Sequence, residues 1–167
     1  MISKKIEKAL NDQLNKELFS SYLYLSMAAY FETKNLAGMA QWMKMQSNEE
    51  YAHSMKFYDF ILRLGGNVKL GALAEPQLTW KSPKEVFENS LHHEQFISQS
   101  IHKLMDLAIA ESHHPTKSFL QWFVDEQVEE EDSVQQIVES FNLIGDDKGG
   151  LFMLDRELGA RTNLAAE

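Results

Sequence analysis

The sequence predicts an all-α fold: a four-helix bundle with one long crossover between its second and third helices, and a short fifth helix at the C-terminal end. Three observations predict it. Four long segments carry apolar residues at steps of three and four, the period of one helix face. Two of the connections are only a few residues long, while the middle one is long. Pro and Gly, 3 and 8 in a chain of 167 residues, gather between the segments.

The first segment covers about residues 3–33, with Ser3 as a candidate N-cap and the stripe Leu10, Leu14, Glu17, Ser21, Tyr24 and Ala28. The second covers about 36–64 and stops at Gly65-Gly66. Its stripe runs through Met39, Met43, Gln46, Glu50, His53, Phe57 and Ile61. Ser82-Pro83-Lys84-Glu85 opens the third segment with a cap, a first-turn Pro and a capping-box Glu. That segment should end near Ser112, its stripe running from Phe87 through Leu91, Glu94 and Ile101 to Met105 and Ala108. The fourth opens at Pro115 and reaches Ile144, with Leu120, Phe123, Gln127, Glu130, Val134 and Ile137 on one face. A short fifth segment, Leu151 to Leu158, is too small to stand alone and should be buried between subunits.

The short links make the first and second helices, and the third and fourth, antiparallel neighbours. A helix of this size is ~45 Å long. The stretch from Gly65 to Lys81, extended, spans roughly 50 Å and can return along the whole bundle. The chain thus reads as a single domain over 1–167: bundle 1–145, loop and fifth helix 146–160, frayed tail 161–167.

Composition narrows the function. The hydrophobic share of 44% and charged share of 25% suit a soluble globular domain. The net charge of −9 disfavours a nucleic-acid partner and favours cations. There is no Cys, hence no disulfide or thiolate chemistry. MISKKIEKAL lacks the apolar core of a signal peptide, and no run is long enough for a membrane span, so a cytoplasmic protein with no membrane partner is expected.

Each stripe is interrupted by polar residues near its middle: Glu17; Glu50 with His53; Glu94; Gln127 with Glu130. Glu17 and Glu50 stand 33 residues apart, as do Glu94 and Gln127. Glu50-x-x-His53 and Gln127-x-x-Glu130 each place two ligands on one helix face. Four buried carboxylates could not stay ionised without compensation, and no Lys or Arg lies on these stripes. Two divalent cations would balance their charge. A carboxylate and imidazole set without thiolate suits iron or manganese.

The motifs NKELFSSYLYLSM, QSNEEYAHSMKF, HHEQF and FLQWFVDEQVEEE together resemble the prokaryotic non-haem ferritins over essentially the whole chain. Ferritin-like di-iron proteins are known for a Glu from each of two helices and a Glu-x-x-His from each of the other two. The resemblance implies a ferritin-like bundle that oxidises Fe(II) to Fe(III) with dioxygen or hydrogen peroxide and stores ferric mineral in a hollow homo-oligomer of 24 subunits. It implies a first iron site at Glu17, Glu50 and His53, and a second at Glu94, Glu130 and the shared Glu50, with Gln127 close by. A third iron site would use Glu49, Glu126, Glu129 and Glu130. Tyr24 matches a tyrosine that hydrogen-bonds a ligand and can supply an electron; Trp122 matches a neighbouring aromatic. Glu130 and Tyr51 stand where a haem-binding relative would carry a His and a Met, so no haem is expected. Lys117–Leu120 lacks the acids that line a threefold iron channel in animal ferritins.

A di-iron oxygenase and a chemically inert shell subunit are the rival functions. The missing second His disfavours the first, and the buried carboxylates disfavour the second. Asp125, Glu131 and Asp132 should be exposed, Trp42 should lie in the core or at a subunit contact, and His92, His93, His102, His113 and His114 should lie on the surface or in loops.

Overall fold

The computed structural model describes residues 2–161. Five helices follow one another: α1 (Lys4–Thr33), α2 (Ala37–Arg63), α3 (Pro83–Ala110), α4 (His114–Ile144) and α5 (Lys148–Gly159), with no strand among the described residues. The beginning of the expected tail, Arg161, is described; residues 162–167 lie outside the described residues. No helix among the described residues is long and apolar enough to cross a membrane.

Local signals set the helix boundaries. Ser3 and Ser82 accept the backbone N–H of Ile6 and Glu85, as N-caps should. The two hairpin turns are alike: Asn35 and Ser112 adopt left-handed φ values of 56° and 51°. The next residue's N–H then reaches back to Phe31 O and Ala108 O respectively. This turn ends α3 at Ala110, two residues before the expected stop, and the His113 side chain caps α4 by accepting from Thr116 N at 3.3 Å. Helix α5 starts at Lys148 rather than Leu151 because Asp147 caps it, accepting from Gly149 N and Gly150 N. The paired glycines hide that start from propensity reasoning.

Helix α1 packs on α2 and α3, α3 packs on α4, and α5 lies on α2 and α4. The crossover runs beside α1. Asn11 donates to Asn67 O and accepts from Lys69 N at 2.9 and 2.6 Å. Asn15 does the same with Lys69 O and Gly71 N at 2.8 and 2.7 Å. Further along, Ser26 donates to Gln77 O. The register follows from geometry: a helix rises ~6 Å in four residues, and an extended chain advances nearly the same in two. Asparagines four apart can therefore serve every second residue of the crossover.

Helix α5 docks on the start of α2, where the backbones touch. A Cβ on Gly38 would lie 1.7 Å from Asp155 O, and one on Gly159 would lie 2.9 Å from Gly38 Cα. The α2 N-cap, Leu36, has no side-chain bond to offer; Asp155 of α5 supplies the acceptor for Met39 N at 2.9 Å.

The core divides in two. One apolar cluster gathers Met27, Phe31, Met43, Trp42, Phe87 and Phe141; the other gathers Leu10, Leu14, Phe57, Ile61, Ile101 and Phe123. Trp42 is thus a core residue.

Replacing Asn11 by Ala removes the amide that joins α1 to the crossover. It should cost about 1–3 kcal/mol. The expected readout is faster hydrogen exchange at the Lys69 amide with α2 amides unchanged; unaltered protection at Lys69 would contradict the clamp.

Candidate metal centre

Glu17, Glu50, His53, Glu94, Gln127 and Glu130 are all buried in the layer between the two apolar clusters, with exposures from 1% for Glu17 to 6% for Glu130. Helices α1 to α4 each contribute, because each carries its polar interruption at the same height. Ligand atoms of Glu17, Glu50 and His53 all lie within 4.8 Å of one another, close enough to share one cation. A second such group joins His53, Glu126 and Glu130. His53 belongs to both: its Nδ1 is 3.5 Å from Glu50 Oε2 and its Nε2 is 4.0 Å from Glu126 Oε1. The imidazole meets Trp122 and Phe123 edge-on, with ring centroids 5.3 and 5.9 Å away.

Three glutamines address the four carboxylates. Gln13 Nε2 donates to Glu17 Oε1 at 2.7 Å. Gln46 Nε2 donates to Glu130 Oε2 at 2.6 Å and to Glu50 Oε1 at 3.4 Å. Gln127 Nε2 donates to Glu94 Oε2 at 3.2 Å. Tyr24 also donates its hydroxyl to Glu94 and lies 2.9 Å from Ser90 Oγ. These neutral donors partly satisfy the carboxylates but do not cancel their charge.

The electrostatic consequence is large. Burial, reinforced by the neighbouring Glu50, pushes the Glu17 carboxyl up to about 8. Burial, with Glu94 nearby, pushes Glu130 up to about 8. Burial raises Glu94 to about 7 against the hydrogen bonds from Tyr24 and Gln127. Glu50 is pushed well above the usual carboxylate range by burial, then by Glu94 and Glu130. Burial, then Glu94, raises the Tyr24 phenol well above its ordinary value. A site this hostile to anions is one where a cation gains most.

The residues expected at a third site do not all converge. Glu126 is half-buried beside His53, and burial raises its carboxyl. Glu129 is exposed. Glu49 pairs with Arg161, whose Nη2 is 2.6 Å from Glu49 Oε2. Nor does Glu94 belong to either three-ligand group among the described residues; Tyr24 and Gln127 hold it instead.

Two surface expectations need correction. His93 is not a free surface histidine: it lies 2.7 Å from Ser20 Oγ, against Phe19, Tyr24 and Phe96, and burial lowers it to about 4. It fills the seam between α1 and α3 as a neutral ring. His113, the α4 cap already described, lies in the loop between α3 and α4, as expected. Glu131 is half-buried and accepts from Ser98, while Asp125 and Asp132 are exposed as expected.

Sequence reasoning missed Gln13 as part of the site, and missed Arg161. Gln13 did carry a signal: it precedes Gln46 by 33 residues, as Glu17 precedes Glu50. Arg161 carried none, since it lies 115 positions from Gln46, the residue it bonds.

A family model described as a ferritin-like domain matches residues 7–144. A bacterial non-heme ferritin of Bacteroides fragilis is 43% identical over 161 residues, covering 96% of this chain and 100% of that relative. One of Staphylococcus aureus is 38% identical over 162 residues, covering 97% and 98%. Among solved structures, an open pore ferritin from the hyperthermophilic archaeon Archaeoglobus fulgidus superposes with a TM-score of 0.96 at 48% identity, covering 97% of this chain and 100% of that one.

The raised carboxyls predict how the metal-free protein responds to pH. A group whose folded-state pKa exceeds its unfolded value contributes fully below the unfolded pKa and loses that contribution as pH rises through the folded one. Here that window runs from the ordinary 4.5 up to about 8. The thermal midpoint of chelator-treated protein should therefore fall as pH is raised from about 5 to about 9, and added Zn(II) should abolish the fall. A midpoint that is flat across this range in the chelated protein would contradict the assignment.

Proposed function

The chain belongs to the ferritin family, whose members store iron, and we propose that it oxidises Fe(II) to Fe(III) at a di-iron centre inside each subunit and stores the ferric mineral within a hollow shell. The observation that carries the reading is the convergence of Glu17, Glu50 and His53 on one point inside a buried layer of four carboxylates.

In this reading the first Fe(II) binds Glu17, Glu50 and His53. The second binds Glu94 and Glu130 with Glu50 shared between the two, Gln127 lying alongside. Iron is substrate and cargo. Each Fe(II) gives up one electron. Dioxygen takes the pair with two protons to become hydrogen peroxide; hydrogen peroxide in its place takes the pair with two protons to become water. The raised carboxyls are the local proton source, since they release protons as cations bind. Tyr24, hydrogen-bonded to Glu94, is placed to hold that ligand and to lend an electron.

Gln127-x-x-Glu130 replaces a second Glu-x-x-His, so the second iron has no imidazole and is held more weakly. Weak retention suits a protein that must hand its product on. A third iron site would recruit Glu126 and Glu130, joined by Glu49 and Glu129 after their side chains turn inward. The shell would be a homo-oligomer of 24 copies in the cytoplasm, with no haem, nucleic acid or membrane among its partners.

The test is aerobic addition of Fe(II) at several hundred ions per shell, followed by ferric absorbance in the near ultraviolet. Continued oxidation with all iron kept soluble is expected. Oxidation that stops at two ions per chain would indicate a resident cofactor instead. Glu50→Ala removes the shared ligand and should slow the fast phase by at least 10-fold; an undiminished fast phase in that variant would sink the site assignment.

A further inference from the structure

Two chains of hydrogen bonds run from cations outside the carboxylate layer to candidate iron ligands within it. In the first, Lys16 Nζ donates to Ser100 Oγ, Ser100 donates to Gln13 Oε1 at 2.6 Å, and Gln13 Nε2 donates to Glu17 Oε1 at 2.7 Å. In the second, Arg161 Nη1 donates to Gln46 Oε1 at 2.9 Å, and Gln46 Nε2 donates to Glu130 Oε2 at 2.6 Å. Arg161 is itself fixed: its Nη2 binds Glu49 at 2.6 Å and its guanidinium lies 4.5 Å from the Trp42 ring centroid. Gln13, Gln46, Ser100, Glu17 and Glu130 are all buried.

The direction of each chain is forced. Lysine and arginine side chains can only donate. A serine hydroxyl that accepts from Lys16 has one proton, and here passes it to Gln13. Each glutamine must then turn its carbonyl outward and its NH2 inward. An inward NH2 can meet only an acceptor oxygen of the carboxyl it faces. It holds that oxygen in place and leaves the other oxygen of the same carboxyl for a cation. An unanchored glutamine could flip and present its carbonyl to the layer, where it would repel ionised carboxylates. Two glutamines 33 residues apart, on different helices, are oriented in the same sense by unrelated cations.

We propose that Gln13 and Gln46 are positioning residues for metal binding, Gln13 serving Glu17 and Gln46 serving chiefly Glu130 beside a longer contact to the shared Glu50, with Lys16 acting through Ser100 and Arg161 acting directly to set their orientation. This rests on the di-iron reading above. The Lys16–Ser100–Gln13 relay aims Glu17 at the first cation. The Arg161–Gln46 relay aims Glu130 at the second and ties that half to the segment that leaves α5. Partners of this outer kind fix ligand orientation and tune metal affinity by 10- to 100-fold, in round terms of about one to two decades.

The test uses the assembled, chelator-stripped protein titrated anaerobically with Co(II), read by calorimetry and by the visible ligand-field bands, with thermal midpoints measured in parallel. The unmodified protein should bind at least two Co(II) per chain, two of them within the buried layer. Gln13→Leu should weaken the ion at Glu17 by about 10- to 100-fold and spare the other; Gln46→Leu, which also removes the longer 3.4 Å contact to the shared Glu50, should weaken chiefly the ion at Glu130. Arg161→Gln should follow Gln46→Leu. Ser100→Ala should follow Gln13→Leu, and Ser100→Thr, which keeps the hydroxyl, should restore the affinity. Variants that weaken both ions equally, or neither, overturn the proposal while leaving the di-iron reading intact. Failure of Ser100→Thr to rescue overturns the Lys16 relay. Absence of Co(II) binding by the unmodified protein overturns the di-iron reading, and this proposal with it.

Discussion

Four carboxylates share one buried layer, and the remaining architecture is arranged around that constraint. An ionised carboxylate taken out of water costs several kcal/mol even after relaxation. Glu17, Glu50, Glu94 and Glu130 come from four different helices, so the layer exists only if all four helices are held in register along the bundle axis. The two left-handed hairpin turns fix α1 against α2 and α3 against α4. The crossover, clamped by Asn11 and Asn15, fixes the relation between the two hairpins. A slip of one residue in either hairpin would rotate a carboxylate by ~100° about its helix axis and take it out of the layer.

The apolar clusters on either side supply the stability that the layer withholds. Phe57, Phe119 and Phe123 pack together below it, with Phe57 and Phe123 ring centroids 4.4 Å apart. Phe31, Trp42 and Phe87 pack above it. Each large side chain buried contributes about 1.5–3 kcal/mol. Several such residues on each side outweigh the cost of four carboxyls that can also shed charge by taking up protons. The flanking cores thus hold the four side chains in one layer from both sides.

Helix number, the crossover and the polar interruptions were legible in the sequence because all three are written in local periodicity. Glu17, Glu50, His53, Glu94, Gln127 and Glu130 could be placed on inward faces from spacing alone. What spacing cannot show is which distant group meets which face. Arg161 reaches Gln46 and Glu49 only because α5 docks on α2 through a Gly38–Gly159 backbone contact, a tertiary event with no periodic trace. His93 and Glu131 sit one position away from the inward stripe, where a helix face is neither core nor surface until its neighbour is known. Ser20 and Ser98 decide those two cases from other helices. The start of α5 was hidden for a different reason: Asp147 caps a turn whose own residues, a glycine pair, disfavour helix.

The asymmetry of the two halves gives the centre a direction. His53 faces both candidate cation groups, so the histidine side is closed by Trp122 and Phe123. On α4 the carboxylates grade from buried Glu130 through half-buried Glu126 to exposed Glu129. Burial raises Glu126 and pushes Glu130 up to about 8, so a cation at the inner end of this series gains its ligand by displacing a proton. Gln127-x-x-Glu130 exchanges both positions of a second Glu-x-x-His, an amide for a carboxylate and a carboxylate for an imidazole, so the α4 side keeps one carboxylate and lacks the imidazole. The asymmetry is therefore one of ligand type, an imidazole on α2 and an amide with a carboxylate on α4. Arg161, held by Glu49 and Trp42, donates to Gln46, which donates to Glu130, so the α4 side of the layer is also tied to the end of α5.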